Sequence, residues 1–388
     1  MPLAAYADTP RAIRLFPSRS LQRVLARHAA DCAALGLRLD AVADEDDAAV
    51  HSWLRSRANL LPLGLADDLG RIEDLTDERG SSALLDAAQR EGTNIRGLGL
   101  DPLEMAVRAF LDHRDIFEAA HGRHLLATLR GTTEFTGRRA GSAIPFLPSR
   151  MHAMEFELGK QFEARARSAH CRVTPGRDGD RQVFTIAHGA MVRSDEALDE
   201  RPMLVSEPPG PVYLADRAVR YRPQRRDIVV YEAGAGRLRI RAGDAPTMRA
   251  YRRAFGELLF GDGEWFGNDD VVSLEPLLRL GSGVELPTPG LREVRLVGLI
   301  LQHVADGGTM ALEADEIWSY LTRRVVDGLK DSEPLEATFR VHASGSSSAA
   351  NVKLRIPNRV EYCRIDDDVI RPFLERRGFL ARADGASQ

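Results

Sequence analysis

The sequence predicts an α+β protein of several domains. We expect a helical domain at 1–145, a central domain at 146–288 built on a small antiparallel sheet with flanking helices, and a C-terminal helical module at 289–388 that carries a basic hairpin. Three patterns predict this organisation: helical spacing of apolar residues in the first third, a short β-hairpin in the middle, and two helical patterns before a second hairpin in the last third. At 388 residues the chain is long enough for two or three domains at about 150 residues each.

Composition narrows the class of protein. With 44% hydrophobic and 28% charged residues, the chain has the balance of an ordinary globular protein. It contains no apolar run of about 18 residues and no basic segment followed by an apolar one at its start, so we expect a cytoplasmic protein without a membrane segment. Of the 53 basic residues, 50 are arginine, a side chain that suits contacts with phosphate.

Charge is distributed unevenly along the chain. Residues 37–86 hold twelve acidic and five basic side chains, whereas residues 217–253 hold eleven arginines and three acidic side chains. One interpretation is that the basic part binds a polyanion while the acidic part repels it. The alternative is that the acidic first third packs beside the basic middle third within the fold.

The first 145 residues show helix signals followed by a break. One apolar stripe runs from Leu21 to Leu35, and a second helix is expected over 45–57. The pair Asp101-Pro102 predicts the start of another helix, because aspartate caps helices and proline suits the first turn. Glycines and prolines then interrupt residues 125–148, which we predict to be a linker.

The central hairpin is the clearest local signal in the chain. The runs 227–231 and 237–241 are rich in β-forming residues, and the segment 233–236 between them has the glycines that a tight turn needs. Asp244, followed by Pro246, predicts that a helix begins directly after the hairpin. Three further strands are expected before the hairpin, near 171–174, 181–187 and 218–222.

The order of a helix, several antiparallel strands and a helix, with Asp227 on one strand, resembles the core of the restriction-endonuclease-like nucleases. In that family an aspartate and the glutamate of a Glu-x-Lys on the next strand hold a divalent metal, and the lysine steers the attacking water, so the resemblance implies Asp227 as the first carboxylate. The next strand here reads Arg237-x-Arg-x-Arg, without an acidic residue, and a second ligand would have to come from Glu155 or Glu157. We therefore predict no catalytic residue, and a metal-dependent nuclease stays as an alternative.

No metal or cofactor site is predicted from motifs. The cysteines have neither the spacing of zinc ligands nor that of a disulfide framework; they are Cys32, Cys171 and Cys363. A group of histidines lacks the HExxH spacing and a completing carboxylate; it comprises His113, His121 and His124. Phosphate-binding glycine loops and serine-hydrolase motifs are absent from the sequence as well.

The last third has two helical patterns, a hairpin with a small polar tip and a closing helix. This order resembles a winged-helix module, in which the hairpin is the wing and the second helix enters a groove of the nucleic acid. The predicted helices are 291–304, 312–329 and 367–377, the predicted strands are 337–342 and 351–356, and the tip is 343–350. Residues 337–364 carry five basic side chains and one acidic one, which also fits a hairpin edge protected by charge.

These patterns predict a non-catalytic nucleic-acid-binding or assembly subunit with other protein subunits as partners, such as those that serve bacterial defence or mobile-element systems. A pure protein-interaction subunit, docked through its acidic helical domain, is a further alternative. Arginines and a lysine of the two hairpins would neutralise phosphates, and Tyr221 and Tyr231 would stack on bases. The predicted phosphate contacts are Arg222, Arg225, Arg226, Arg239, Arg241, Arg340, Lys353, Arg355 and Arg359.

Overall fold

The computed structural model describes residues 18–36, 61–95, 100–128, 131–138, 148–191, 193–198, 216–221, 224–286, 288–319, 332–362 and 364–380. The chain groups into two compact units. Unit 1 takes its residues from Met1–Phe117, Glu155–Val173 and Ile186–Arg226, and unit 2 from Glu118–Met154, Thr174–Thr185 and Asp227–Gln388. Both helices and antiparallel strands are present, which confirms the α+β class.

Short helices make up the described N-terminal part of unit 1. They are α1 (Ser18–Ala26), α2 (Ala29–Ala34), α3 (Leu63–Asp74), α4 (Glu78–Arg90) and α5 (Pro102–Asp112). The predicted cap of α5 is confirmed, because the Asp101 carboxylate accepts a hydrogen bond of 2.8 Å from the backbone N–H of Glu104. The helix expected over 45–57 lies outside the described residues.

Further helices follow in the chain. They are α6 (Arg114–Thr128), α7 (Pro148–Glu163), α8 (Ala245–Phe260) and, near the C-terminus, α10 (Asp367–Arg377); the six-residue α9 (Glu275–Leu280) lies between α8 and α10. The start of α8 is as predicted, since Asp244 accepts a hydrogen bond from the N–H of Thr247 at 2.8 Å. Its end is a glycine, Gly261, in the left-handed region at φ 72°.

The strands are β1 (Thr132–Thr136), β2 (Cys171–Asp178), β3 (Arg181–Gly189), β4 (Arg193–Leu198), β5 (Asp216–Tyr221), β6 (Gln224–Glu232), β7 (Arg237–Arg241), β8 (Leu291–His303), β9 (Thr309–Glu313), β10 (Ser332–Ala343), β11 (Ala350–Arg355) and β12 (Arg359–Tyr362). Ten of them form one sheet in the order β2-β3-β6-β7-β1-β12-β11-β10-β8-β9, and β4 pairs with β5 in a second sheet. The sheet is therefore much larger than the small sheet that the sequence predicted.

Within unit 2, helices pack on opposite faces of this sheet. Helix α6 contributes Leu125 and Leu126 to a buried cluster with Val230 of β6, whereas α8 packs Phe255 against Phe184 of β3. On the half of the sheet formed by β8 and β10–β12, Phe339 contacts Phe373 of α10 at a ring distance of 6.2 Å. This contact belongs to a large apolar core, whose strand residues include Val352, Leu354 and Val360.

The predicted linker at 125–148 contains a strand in the interior of the sheet. Strand β1 lies between β7 and β12, with Thr133 opposite Ile240 on one side and Arg359 on the other. Its sequence, Thr-Thr-Glu-Phe-Thr, has the threonines and the aromatic residue of a strand, and the glycines that flank it mark its ends. The linker prediction is wrong here because those glycines bound a five-residue strand.

The helix predicted over 291–304 is strand β8. This strand pairs along most of its length with β10, from Leu291 opposite Ala343 to His303 opposite Ser332. Apolar residues occur at spacings that fit both helix and strand, and the long pairing with β10 decides between them. The second predicted helix, 312–329, overlaps strand β9 at its first two residues, residues 317–319 are helical, and most of the rest lies outside the described residues. Of the two helices that would precede the wing, the first is therefore a strand.

The strands also show how the predicted domains relate to the sheet. Strand β1 comes from the predicted domain 1–145, β6 and β7 from 146–288, and β10, β11 and β12 from 289–388, yet all lie in one sheet. The predicted boundaries therefore do not coincide with those of the two compact units.

No helix among the described residues is both long and apolar enough to cross a membrane.

Candidate functional site

Arg239 lies at the centre of a buried charge network between the sheet and α10. Its guanidinium donates two hydrogen bonds to the Asp367 carboxylate, at 2.8 and 2.9 Å. It also donates to Glu232 at 3.1 Å and to the Tyr362 hydroxyl at 3.1 Å. The Arg239 side chain is 1% exposed. A fork of this kind fixes both partners in one geometry.

Two more arginines enter the same network. Arg371 of α10 donates a hydrogen bond of 2.6 Å to Glu134 of β1, and its Nε lies 3.6 Å from Glu232. Arg237 donates to Glu375 at 3.2 Å and lies 3.8 Å from Glu232. All three arginines are therefore held by carboxylates from β1, β6 and α10. We call this set the buried charge network; it comprises Glu134, Glu232, Arg237, Arg239, Tyr362, Asp367 and Arg371.

Burial and the neighbouring charges shift the pKa values of three groups of the network, Asp367, Glu232 and Tyr362. Burial by itself raises the pKa of Asp367, but Arg239 and Arg371 outweigh it, and the pKa lies well below the usual range. The pKa of Glu232 is likewise lowered: burial raises it, and the surrounding arginines more than reverse that effect. For Tyr362, burial raises the pKa above its usual value. These three groups are therefore not suited to proton exchange near neutral pH, and the geometry indicates a structural role.

The predicted role of Arg239 in phosphate binding is consequently wrong. Strand alternation correctly places Arg237, Arg239 and Arg241 on one face, because Arg239 is opposite Glu134 and Arg237 is opposite Thr136. On that face Arg237 and Arg239 are buried, and of the three arginines only Arg241 is exposed. A single strand can show which residues share a face, but it cannot show what packs on that face.

The other arginines of the central segment lie in different settings. Arg222 is outside the described residues, and Arg225 is exposed. Arg226 donates a hydrogen bond of 2.7 Å to Asp74 and lies 3.4 Å from Asp67, both on α3 of unit 1. No common exposed surface formed by these residues can be described.

Two aspartates of helix α3, which belong to the acidic first third of the chain, form ion pairs within unit 1. Asp67 and Asp68 are buried, and Arg172 lies 3.7 Å from the first and donates to the second at 3.1 Å. His28 contacts Asp68 at 3.0 Å. For these residues of unit 1, the alternative that acidic residues pack beside arginines within the fold is confirmed.

Tyr231 does not present its ring for base stacking. The side chain is fully buried, and its ring packs edge-on against Phe260 and Phe266 at 5.6 and 6.0 Å. The stacking prediction for Tyr231 is therefore wrong, because the aromatic residues of this region form a core. The side chain of Tyr221 lies outside the described residues.

Four predicted basic residues lie together on the sheet surface opposite α10. Arg340 pairs with Asn351 across β10 and β11, and Arg355 pairs with Arg359 across β11 and β12. Because alternate residues of a strand share a face, Arg340, Lys353, Arg355 and Arg359 all point away from the core residues Phe339 and Val352. Their side chains are between 39% and 55% exposed. We call these four residues the basic face.

Carboxylates neutralise much of this surface. Arg340 pairs with Asp315 at 2.7 Å, and Arg359 pairs with Glu361 at 2.5 Å. Glu336 alone binds two cations, Lys353 at 2.6 Å and Arg355 at 2.7 Å. Four cations against these three carboxylates leave a net charge of +1.

Edge protection does not explain the basic face. Strands β10, β11 and β12 are interior strands, while β2 and β9 form the edges of the ten-stranded sheet. The alternative interpretation of a charged hairpin edge is therefore wrong. Moreover, the pairing of Arg355 with Arg359 puts two like charges opposite each other, an arrangement that costs stability in a sheet.

The residues of the nuclease alternative do not come together as a metal site in the described structure. The Asp227 carboxylate accepts a hydrogen bond of 2.8 Å from the Tyr251 hydroxyl. Glu155 accepts one of 2.8 Å from the backbone N–H of Val173. Among the described residues, no group of three or more His, Cys, Asp or Glu side chains has a geometry that could hold a metal ion.

The sequence did not identify the carboxylates that hold the arginines of the buried charge network and the cations of the basic face. Glu134 and Glu232 come from β1 and β6, and Asp367 was seen only as part of a helix start. Glu336 precedes the predicted hairpin by one residue. One available signal was Arg237-x-Arg-x-Arg itself, because arginines on a buried strand need acidic partners.

No protein-family model matches this chain, and no curated protein matches it in sequence.

Proposed function

We propose that the protein is a non-catalytic subunit that binds nucleic acid through the basic face of β10, β11 and β12. The observation that carries the proposal is the direct pairing of Arg355 with Arg359, each more than half exposed. Glu336 and Glu361 each pair with one of these arginines, but like charges held opposite each other still repel, and a further partner of opposite charge relieves that repulsion. Phosphates spaced along a nucleic-acid backbone supply such a partner.

The shape of the surface supports the same proposal. The strands that carry the four cations are hydrogen-bonded to one another, and the core behind them includes Phe339, Val352 and Leu354. The cations therefore stand on a rigid support rather than on a loop. Contacts made by such a surface would be to phosphates, and they would carry little base specificity. A winged-helix arrangement is not required for this mode of binding.

The first prediction is that Lys353→Ala and Arg355→Ala each weaken binding of a duplex DNA probe by about threefold to tenfold. Each variant removes roughly one phosphate contact, so the slope of log affinity against log salt should become shallower by about 0.9. Fluorescence anisotropy with a labelled duplex, between 50 and 200 mM salt (roughly the range in which such slopes are resolved), measures both quantities.

Arg376→Ala is the matched control for these two variants. Arg376 is exposed on α10, and α10 packs on the opposite face of the sheet through Phe373. We expect this variant to bind as the parent does. If Lys353→Ala and Arg355→Ala also bind as the parent but melt at a lower temperature, the basic face serves stability alone and the proposal is contradicted.

The same probe tests the nuclease alternative. Incubation with Mg²⁺ or Mn²⁺ is expected to leave the duplex intact, because Asp227 is bound by Tyr251. Cleavage that disappears in a folded Asp227→Ala variant would instead favour the nuclease. Membership of a bacterial defence or mobile-element system stays a prediction.

A further inference from the structure

Glu336 differs from the other carboxylates near the basic face in its burial and in its number of partners. Its side chain is 5% exposed, whereas those of Glu361 and Asp315 are 34% and 83% exposed. It receives the Lys353 ammonium on Oε1 and the Arg355 guanidinium on Oε2, the latter through both Nε and Nη2. Each oxygen of one carboxylate thus holds a different cation.

The register explains this position. Glu336 of β10 lies directly opposite Arg355 of β11, which in turn lies opposite Arg359 of β12. Lys353 is two residues from Arg355 on the same strand and therefore points to the same side. The Glu336 carboxylate consequently lies beneath the side chains of Lys353 and Arg355, which are themselves 39% and 55% exposed.

The carboxylate is ionised at neutral pH. Burial by itself raises the pKa of Glu336, but the hydrogen bonds from Lys353 and Arg355 outweigh it, and the pKa lies below its usual value. A permanent negative charge therefore sits among the cations that would face a phosphate. Its oxygens occupy the same donors that a phosphate would use.

We infer that Glu336 is an internal competitor for the phosphate backbone, which keeps the affinity of the basic face for nucleic acid low. This inference rests on the proposed function, and it names a residue that regulates the same surface. Because the backbone of Glu336 is paired on both sides and its carboxylate is buried against Lys353 and Arg355, the carboxylate stays close to both cations when a phosphate binds. The phosphate must share Lys353 and Arg355 with it.

The test is the Glu336→Gln variant, which keeps the shape of the side chain and removes its charge. We expect it to bind a duplex DNA probe about threefold to tenfold more tightly than the parent at low salt, with a salt slope steeper by up to about 0.9, since one further cation becomes available. Glu333→Gln is the matched control, because Glu333 is an exposed glutamate on the same strand. Its effect should be much smaller.

The outcomes separate this inference from the proposed function. Tighter binding by Glu336→Gln, including binding where the parent shows none, supports the inference. Binding by the parent that is unchanged or weakened in Glu336→Gln overturns the inference and leaves the proposed function standing, since Glu336 would then orient the cations. Absence of binding by parent and variant alike overturns both. If circular dichroism shows that the glutamine variant does not fold, Glu336→Met replaces it with the same expectations, because an apolar residue of similar volume is often tolerated where an ion pair stood.

Discussion

Replacing Arg239 by methionine is expected to lower the free energy of unfolding by about 3–5 kcal/mol. The arginine is 1% exposed and neutralises Asp367 and Glu232 through hydrogen bonds of 2.8 to 3.1 Å. Methionine fills a similar volume but leaves these carboxylates buried with fewer cations. A buried charge that loses its partner cannot regain the hydration that it gave up on folding.

Chemical denaturation followed by circular dichroism measures this effect. The denaturant concentration at the midpoint of unfolding should fall, while the slope of the unfolding free energy against denaturant concentration stays constant. Arg241→Met is the control, because Arg241 lies two residues along the same strand and on the same face but is exposed. We expect the control to change stability by no more than about 0.5 kcal/mol. Equal effects of the two substitutions would mean that the buried charge network does not hold α10 on the sheet.

Acid is expected to destabilise the parent protein through Asp367 and Glu232. The folded state lowers the pKa of both carboxyls, because the neighbouring arginines outweigh burial. Their contribution to stability is therefore fully present above the unfolded values of about 4, and it is lost as the pH falls below them towards the folded values. The melting temperature should fall steeply over this acidic range.

Asp367→Asn and Asp368→Asn form a matched pair for this prediction. The two aspartates are neighbours in the first turn of α10, but their side chains are 4% and 77% exposed. Asp367→Asn should melt at a lower temperature at neutral pH and show a shallower dependence on acid, whereas Asp368→Asn should follow the parent closely. The prediction fails if the parent and Asp367→Asn have parallel profiles of melting temperature against pH.

Several local elements could be predicted from the sequence because their signals are short-range. Asp101 and Asp244 each cap the helix that they were expected to start. The central hairpin is present with Glu232 opposite Arg237, and the strands predicted at 337–342 and 351–356 overlap β10 and β11. In each case, residues within a few positions of one another decide the outcome.

The basic face was predicted in part. Arg340, Lys353, Arg355 and Arg359 do share one surface, as alternation along strands requires. Their carboxylate partners could not be foreseen, because Asp315 comes from a segment distant in sequence and Glu336 lies one residue before the predicted strand at 337–342. The net charge of such a surface depends on what the fold brings next to it.

By itself, the sequence determined the α+β class, the helix starts at Asp101 and Asp244, and which residues of β7, β10 and β11 share a face of the sheet. The tertiary structure decided that 291–303 is a strand paired with β10, that 132–136 is an interior strand, and that Arg239 is buried rather than exposed. The physical reason is common to all three. Strand pairing and the covering of a sheet face depend on residues far apart in the chain, and the pattern of one segment does not contain its partner.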